Sequence, residues 1–407
     1  DDDHNRVCLV SEAEGRAVTQ PETSVQIRAI GEGKDASCCR YPVSTDDERP
    51  VVQGSFVVEN GDSEFSADES VDWNAGVGPV FQRDLAFDCD AATEDDFLAP
   101  HKHNLPPWLA EALEAQLGDN FWPLVDSLQQ TAGLDVRVNT LLAKRPDVLA
   151  QLKAAGIQAF DTPFSPWGLR MPAKPNLSKL ALFEQGHIEV QDEGSQLLAM
   201  LVDAKRGEMV ADFCAGAGGK TLALGASMRN TGRLYAFDTS AHRLDALKPR
   251  LARSGLSNIH PVAIAHERDD RIKRLRGKMD RVLVDAPCTG LGTLRRNPDL
   301  KWRQTPEAVA ELVVKQTAIL AAAARLLKPG GRLVYATCSL LREENEMIAE
   351  AFSAAHPQFT PLPVNELLTA DGVAQPDTLC TPDGLYLRLW PHLHATDGFF
   401  AAAWCLS

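Results

Sequence analysis

The chain has 407 residues, 44% of them apolar, and a formal net charge of −15. That length is enough for two or three domains and a full-sized core, and no apolar run is long enough for a membrane-spanning helix. Nine cysteines without a Cys-x-x-Cys pair argue against a structural zinc site, and no metal is expected.

The negative charge is not spread evenly. Residues 1–100 hold 23 acidic and 7 basic residues, leaving 33 and 34 in the rest of the chain. The remainder is close to neutral and free to carry a local basic patch for a polyanion. The chain opens Asp1-Asp2-Asp3-His4, with no initiator Met, no basic segment and no apolar segment. It therefore reads as a fragment without a secretory signal, with reduced thiols in a cytoplasmic compartment.

Residues 1–103 are rich in Asp, Glu, Ser and Gly without sustained periodicity. They read as an acidic, weakly ordered extension or a divergent accessory domain. From residue 104 the texture changes. Leu109, Leu113 and Leu117 recur at helical spacing and stop near Gly118, and a second helix is expected over Trp122–Gln130. Leu134–Thr140 alternates like a strand, and Val148–Ala155 reads as a helix stopped by Gly156. Residues 104–190 thus form a small α+β module.

From residue 191 to 407 the rhythm is strand, turn, helix. Apolar strand runs are expected at Met209–Cys214, Leu234–Phe237, Val282–Val284 and Leu333–Ala336. A long helix is expected from N-cap Thr305, with Pro306 at its first position, through Leu327 to the stop at Lys328-Pro329-Gly330-Gly331. The alternation implies an α/β class, Rossmann-like doubly wound sheet.

The first strand of that sheet runs into Asp212-Phe213-Cys214-Ala215-Gly216-Ala217-Gly218-Gly219-Lys220-Thr221. Glycines allow a ligand close to the backbone, and the helix start that follows favours negative charge. A phosphate-binding P-loop would need Gly where Cys214 stands, and a dinucleotide fingerprint would need Gly where Thr221 stands. An S-adenosylmethionine loop is the third reading, with Cys214, Ala215, Gly216, Ala217, Gly218, Gly219 and Lys220 lining it. Asp238 closes the second strand, where a carboxylate takes ribose hydroxyls.

Asp285-Ala286-Pro287-Cys288 ends the third strand and Thr337-Cys338-Ser339 the fourth. Ligands of open α/β sheets bind at the carboxyl ends of strands, so both cysteines belong to the cofactor edge. Thiols have a chemical purpose in one kind of methyl transfer. C5 of cytosine is too weak a nucleophile until a thiolate adds to C6 and makes C5 enamine-like. Asp285 is placed to stabilise the pyrimidine N3/N4 edge in that adduct. Spacing does not rank the two cysteines. Soon afterwards Arg295, Arg296, Lys301, Trp302 and Arg303 combine cations with an aromatic, suited to phosphate contact and base stacking.

In combination, the glycine loop followed by Lys220, the Asp-Ala-Pro-Cys segment and the Thr-Cys-Ser segment resemble the bacterial ribosomal-RNA cytosine-C5 methyltransferases of the small-subunit methyltransferase B type. The wider family includes the nucleolar proliferation-antigen enzymes. The resemblance covers about three-quarters of the chain, from Leu105 onward. It implies that Cys338 is the nucleophile, that Cys288 assists product release, and that Asp285 lines the reacting centre. Asp238 would be the ribose carboxylate, and Asp269 would contact the adenosine end of S-adenosylmethionine, together with the glycine loop. Arg137 and Asn139 fall in the family's RNA-binding module, Val190-Gln191-Asp192-Glu193 at its junction with the catalytic domain, and Thr396–Phe400 in a structural closing hairpin. Three departures stand out. Ala217 replaces a usual Pro, Arg268 and Asp270 flank Asp269 where Gly is common, and residues 1–100 do not read as the helical RNA-binding domain with which relatives often begin. The expected activity is a monomeric RNA cytosine-C5 methyltransferase acting on 16S rRNA, with transfer RNA as rival substrate and a non-catalytic RNA-binding scaffold as the competing class.

Overall fold

The computed structural model describes residues 102–407, together with the backbone of three short strands nearer the start. These are β1 (Arg6–Leu9), β2 (Ser24–Ile30) and β3 (Cys38–Pro42), an antiparallel sheet in the order β1-β2-β3. The remainder of the acidic stretch, including most of the expected extension, lies outside the described residues. Two compact units are present, Asp1–Ala110 and Glu111–Ser407.

The second unit contains two sheets. The smaller uses β4 (Leu134–Val138), β5 (Phe160–Asp161), β6 (Gly168–Met171) and β7 (Ile188–Val190) in the order β5-β6-β4-β7, antiparallel throughout. The helix Arg145–Ala154 contributes Val148 and Leu152 to a core shared with Val136, Val138, Leu169, Met171 and Ile188. Asp135 and Arg170 face each other across β4 and β6 in a two-pronged ion pair, at 2.7 and 2.8 Å. The helix expected at Trp122–Gln130 spans Phe121–Leu128, and the strand expected to reach Thr140 stops at Val138.

The larger sheet uses β8 (Met209–Asp212), β9 (Arg233–Asp238), β10 (Ile259–Ala263), β11 (Met279–Asp285), β12 (Leu327–Thr337), β13 (Phe359–Leu362), β14 (Leu387–Leu389) and β15 (Phe399–Leu406). Its order is β10-β9-β8-β11-β12-β15-β13, with β14 paired to β15. The five strands from β10 to β12 are parallel, and β15 runs antiparallel to β12. After β8 the chain builds outward through β9 and β10, then crosses back to place β11 on the other side of β8. This reversal makes the β8–β11 boundary the switch point where such sheets open a crevice.

Helices cover both faces, so the strands read as nearly continuous apolar runs. Alternation still sorts the residues. Leu283, Val334 and Ala336 pack with Leu197, Leu224 and Leu247, while Val282, Val284, Leu333 and Tyr335 pack with Leu320, Phe352 and Trp404. Each large side chain buried this way contributes roughly 1.5–3 kcal/mol. The long helix spans Pro306–Ala324, and Thr305 Oγ1 accepts from the Ala308 amide as its cap. The Lys328–Gly331 segment, expected as a plain stop, bulges out of β12. Pairing on β11 jumps from Leu327 to Arg332, and Gly330 takes φ +77° to make the turn.

Candidate active site

Four carboxyl ends of adjacent strands meet at the switch point. β8 delivers the glycine loop, which is pinned by the Phe213 amide donating to Leu283 O and the Ala215 amide to Phe237 O, both at 2.8 Å. Gly216 has φ +55° with nothing within 4 Å of where a Cβ would stand, so its outer face is open. Gly218 has φ +84°, and a Cβ there would meet Leu247 Cδ1 at 2.2 Å, so this glycine lets the loop lie against the helix Ala241–Ser254. Lys220 and Thr221 start the following helix, Gly219–Ser227.

The polar groups of the crevice are mutually organised. Asp238 Oδ2 accepts from the Gly216 amide at 2.8 Å and Oδ1 from the Ser240 amide at 2.7 Å. Thr221 Oγ1 donates to Asp212 Oδ2 at 2.7 Å, while Asp212 Oδ1 is buried without a partner. Burial pushes the Asp212 carboxyl up to about 7. Lys220 Nζ donates to Asp285 Oδ2 at 2.8 Å. Burial acts to lower the Lys220 ammonium, but Asp285, aided by Cys338, more than offsets it and holds the cation above its ordinary value.

Cys288 and Cys338 stand with their sulfurs 3.4 Å apart. They follow neighbouring parallel strands, so pairing of β11 with β12 brings residues fifty positions apart together. The Cys288 thiol is pushed well up by its contact with the Cys338 sulfur, by burial and by nearby Glu344. Cys214, also in the loop, is pushed well up by burial and by the carboxylates around it.

The Cys338 backbone is fixed from another direction. Its carbonyl accepts from the Gly292 amide at 2.8 Å, and the Gly292 carbonyl accepts from the Gly398 amide at 2.8 Å. Thr396–Phe400 thus closes directly on the Cys338 loop, a contact with no local sequence signal.

The remaining expected site residues are held as follows. Asp269 caps the short helix Asp270–Lys273, its oxygens accepting from the Arg271 amide at 2.9 Å and the Ala265 amide at 3.0 Å. These hydrogen bonds hold its carboxyl below its ordinary range. The expectation that Arg137 and Asn139 contact RNA is corrected by their burial. Arg137 Nε donates to Gln191 Oε1 at 2.6 Å, and burial lowers its guanidinium to about 10. Asn139 Nδ2 donates to the carbonyls of Gly186 and Ser254, both at 3.0 Å. Both residues organise the junction of the two sheets. Beside them Arg250 and Arg253 from the larger sheet's helix pair with Glu189 of β7, and Arg250 also donates to Ala217 O at 2.6 Å.

Arg296 is committed internally in the same way, to Asp397 Oδ2 at 2.7 Å, Asp192 Oδ2 at 2.8 Å and Gly133 O at 3.1 Å. Arg295 lies 3.6 Å from Asp397. Lys301 sits over the Trp302 ring at 5.4 Å, and burial lowers its ammonium to about 8. Sequence reasoning missed Glu344 and Arg250, while Gln191 lies at the junction of the two sheets, in the segment expected there. Among the described residues no cluster of His, Cys, Asp and Glu is arranged to hold a metal, and no helix is long and apolar enough to cross a membrane.

Comparison with known proteins places this geometry in a family. Residues 199–405 match the family model for 16S rRNA methyltransferase RsmB/F, and residues 105–177 match its ferredoxin-like domain. The Synechocystis sp. protein named "Probable ribosomal RNA small subunit methyltransferase B" is 36% identical over 303 residues, covering 74% of this chain and 66% of the relative. The Bacillus subtilis protein of the same name is 35% identical, covering 65% of this chain and 58% of the relative. The chain therefore spans less than two thirds of these relatives' length. The crystal structure of PH0851 superposes with a TM-score of 0.70 at 34% identity, covering 78% of this chain and 69% of that one. The chain belongs to the RsmB/F family of 16S rRNA methyltransferases, with a ferredoxin-like domain ahead of a Rossmann-like methyltransferase sheet.

Proposed function

We propose that this chain methylates C5 of a cytosine in RNA, small-subunit ribosomal RNA being the substrate class, with Cys338 forming a covalent bond to C6. The observation that carries the reading is the pair of thiols 3.4 Å apart at the carboxyl ends of β11 and β12, beside the Lys220–Asp285 ion pair. Methyl transfer to nitrogen or oxygen has no use for a second thiol held against the first.

The residues present fit S-adenosylmethionine. Gly216 presents open backbone, and each Asp238 oxygen has spare acceptor capacity after its one backbone bond, as ribose hydroxyls require. The bound cofactor supplies an electrophilic methyl group. Cys338 adds to C6 as the thiolate, and the electron pair moves toward C5, which becomes nucleophilic. Asp285 and Lys220 face the reacting ring and stabilise charge on its polar edge. After methylation the C5 proton leaves and the C6–sulfur bond breaks, which restores the aromatic ring. Cys288 keeps its proton because the Cys338 sulfur and burial disfavour its thiolate. It therefore gives its proton to the departing Cys338 sulfur, the Cys288 thiolate this leaves takes the C5 proton, and Cys338 then releases its proton to solvent. Half-buried Trp302 and exposed Arg303 are the members of the basic segment open to RNA, whereas Lys301, expected there as well, is buried.

Incubation with RNA and S-adenosylmethionine, followed by denaturing electrophoresis, tests this. Cys288→Ala should accumulate a protein–RNA adduct and Cys338→Ala none. Trapping by Cys338→Ala exchanges the roles. No adduct in any variant, with no methylation of ribosomal or transfer RNA by the parent, leaves an RNA-binding scaffold.

A further inference from the structure

We infer that Glu344 is the positioning residue that sets the spacing of the two thiols, by holding the loops behind both cysteines on one carboxylate. The inference deepens the proposed cytosine chemistry and rests on it for its functional meaning. Glu344 is completely buried in the turn Arg342–Glu344, and among the described residues it has no cation at ion-pair distance. Its oxygens instead take four donors from three elements. Oε1 accepts from the Thr289 amide and from Gln316 Nε2 of the long helix, both at 2.9 Å. Oε2 accepts from the Thr289 hydroxyl at 2.6 Å and from the Ser339 hydroxyl. Thr289 directly follows Cys288, and Ser339 directly follows Cys338.

Neighbouring bonds extend the brace. Gln316 also donates to Pro287 O at 3.0 Å, so the residues on either side of Cys288 are both tied to this group. Asn345 Nδ2 donates to Ser339 O at 3.0 Å, and Tyr335 of β12 donates its hydroxyl to Glu344 O at 2.6 Å. A carboxylate offers about four acceptor positions in one plane, and this one spends all of them. A buried carboxylate without a cation is an expensive way to fill space, because apolar side chains of similar volume pack there at lower cost. What it adds is geometry: besides the Gly292 amide bond to the Cys338 carbonyl, the residues that directly follow the two cysteines are indexed to the same two atoms. Glu344 touches neither sulfur, so its geometric effect reaches the chemistry through Thr289 and Ser339, beside the electrostatic push its charge gives the Cys288 thiol.

The test reads sulfur spacing directly. A diazenedicarboxamide oxidant accepts two electrons and two protons from the Cys288 and Cys338 thiols, which join as a disulfide while the oxidant becomes the hydrazine. The rate of that cross-link is measured by mass spectrometry on the full chain, with melting followed in parallel and kcat and KM measured on RNA. Glu344→Ala should cross-link about tenfold more slowly and lose kcat with little change in KM, since displacements near 1 Å cost up to about a hundredfold. Glu344→Gln keeps an acceptor for Thr289 and Gln316 and should stay within about threefold of the parent. If Glu344→Ala does not fold, Ser339→Ala, which removes one of the four donors, decides, with about a threefold slowing expected. Parental cross-linking in either folded variant, or a Glu344→Gln variant as slow as Glu344→Ala, overturns the inference. Cross-linking needs no RNA and no methyl donor, so it stands or falls separately from the cytosine reading.

Discussion

Gly292 sits where the Cys338 loop meets the closing segment. A Cβ on this residue would lie 2.1 Å from Gly398 O and 2.8 Å from Cys338 O, both backbone atoms that cannot swing aside. Gly292→Ala must therefore push three strands of backbone apart. Overpacking of this kind costs about 1–3 kcal/mol. The two backbone hydrogen bonds through Gly292 would lengthen, at about 0.5–1.5 kcal/mol each. The sum is about 2–6 kcal/mol, which in a unit of this size lowers the melting temperature by roughly 3–10 °C. Because one displaced atom is the Cys338 carbonyl, thiol cross-linking and methyl transfer should fall as well, below the melting transition. Gly133→Ala is the control, since a Cβ there meets nothing closer than Arg170 Cδ at 3.9 Å. Calorimetry on the two variants suffices. If Gly292→Ala melts within 1–2 °C of Gly133→Ala, as surface-like substitutions do, the closing segment does not hold the nucleophile loop.

Three further outcomes follow from the crevice. Asp238→Ala removes the acceptor of the Gly216 amide and the proposed ribose contact. It should weaken S-adenosylmethionine binding by about ten- to a hundredfold in calorimetric titration, and unchanged affinity would place the cofactor elsewhere. Asp285→Asn leaves the Lys220 ammonium facing burial without its carboxylate, so its pKa should drop below the usual lysine value. Stability should fall by about 1–3 kcal/mol, discounted because the Asp285 side chain is 31% exposed; pH-dependent amine labelling with an unmoved midpoint contradicts this. Burial raises Asp212 to about 7, so the folded state holds this proton more tightly than the unfolded chain does. Its contribution favours folding at acid pH and is lost as pH rises from the ordinary carboxylate range through about 7. Asp212→Asn should flatten the decline in melting temperature between pH 5 and 8; an equal slope in both proteins would mean another group carries it.

The parts of this molecule that were readable beforehand share one property: their signal is local. Apolar runs ending in Asp212, Asp238, Asp285 and Thr337 mark strand ends, and strand ends in an open sheet converge by topology. The cysteine pair was legible for that reason. The charged residues were not. Arg296 looks like a free cation until Asp192 and Asp397, more than a hundred positions away on either side, close around it. Arg137 on β4 and Asn139 just after it have the right polarity for RNA contact, yet both are buried, Asn139 against the end of the helix Ala241–Ser254. Asp269 precedes Asp270 and Arg271 at a helix start, and the short-range capping bonds that occupy it were available as an alternative. Glu344 stood in Arg342-Glu343-Glu344-Asn345-Glu346, a run that reads as a solvated turn, and burial separated it from its neighbours.

These long-range partners explain why the strand that adds nothing to the cofactor crevice matters to it. β15 is antiparallel to β12 and pairs Phe400 with Thr337, the residue before Cys338. Gly398, one residue before that strand begins, then reaches Gly292, and Asp397 reaches Arg296. The Cys338 loop is therefore bounded by β15 and the Gly292 turn on one side and by the Glu344–Asn345 turn on another. A sulfur on a loop held from one side could swing through several ångströms; held from both, it keeps a fixed distance to Cys288. The proposed covalent catalysis at C6 would need that constancy, because the same sulfur would have to bond, wait through methyl transfer, and leave within reach of the same proton donor. The length of chain spent after Cys338, from Ser339 to the end of β15, is on this argument part of the apparatus that aims one thiol.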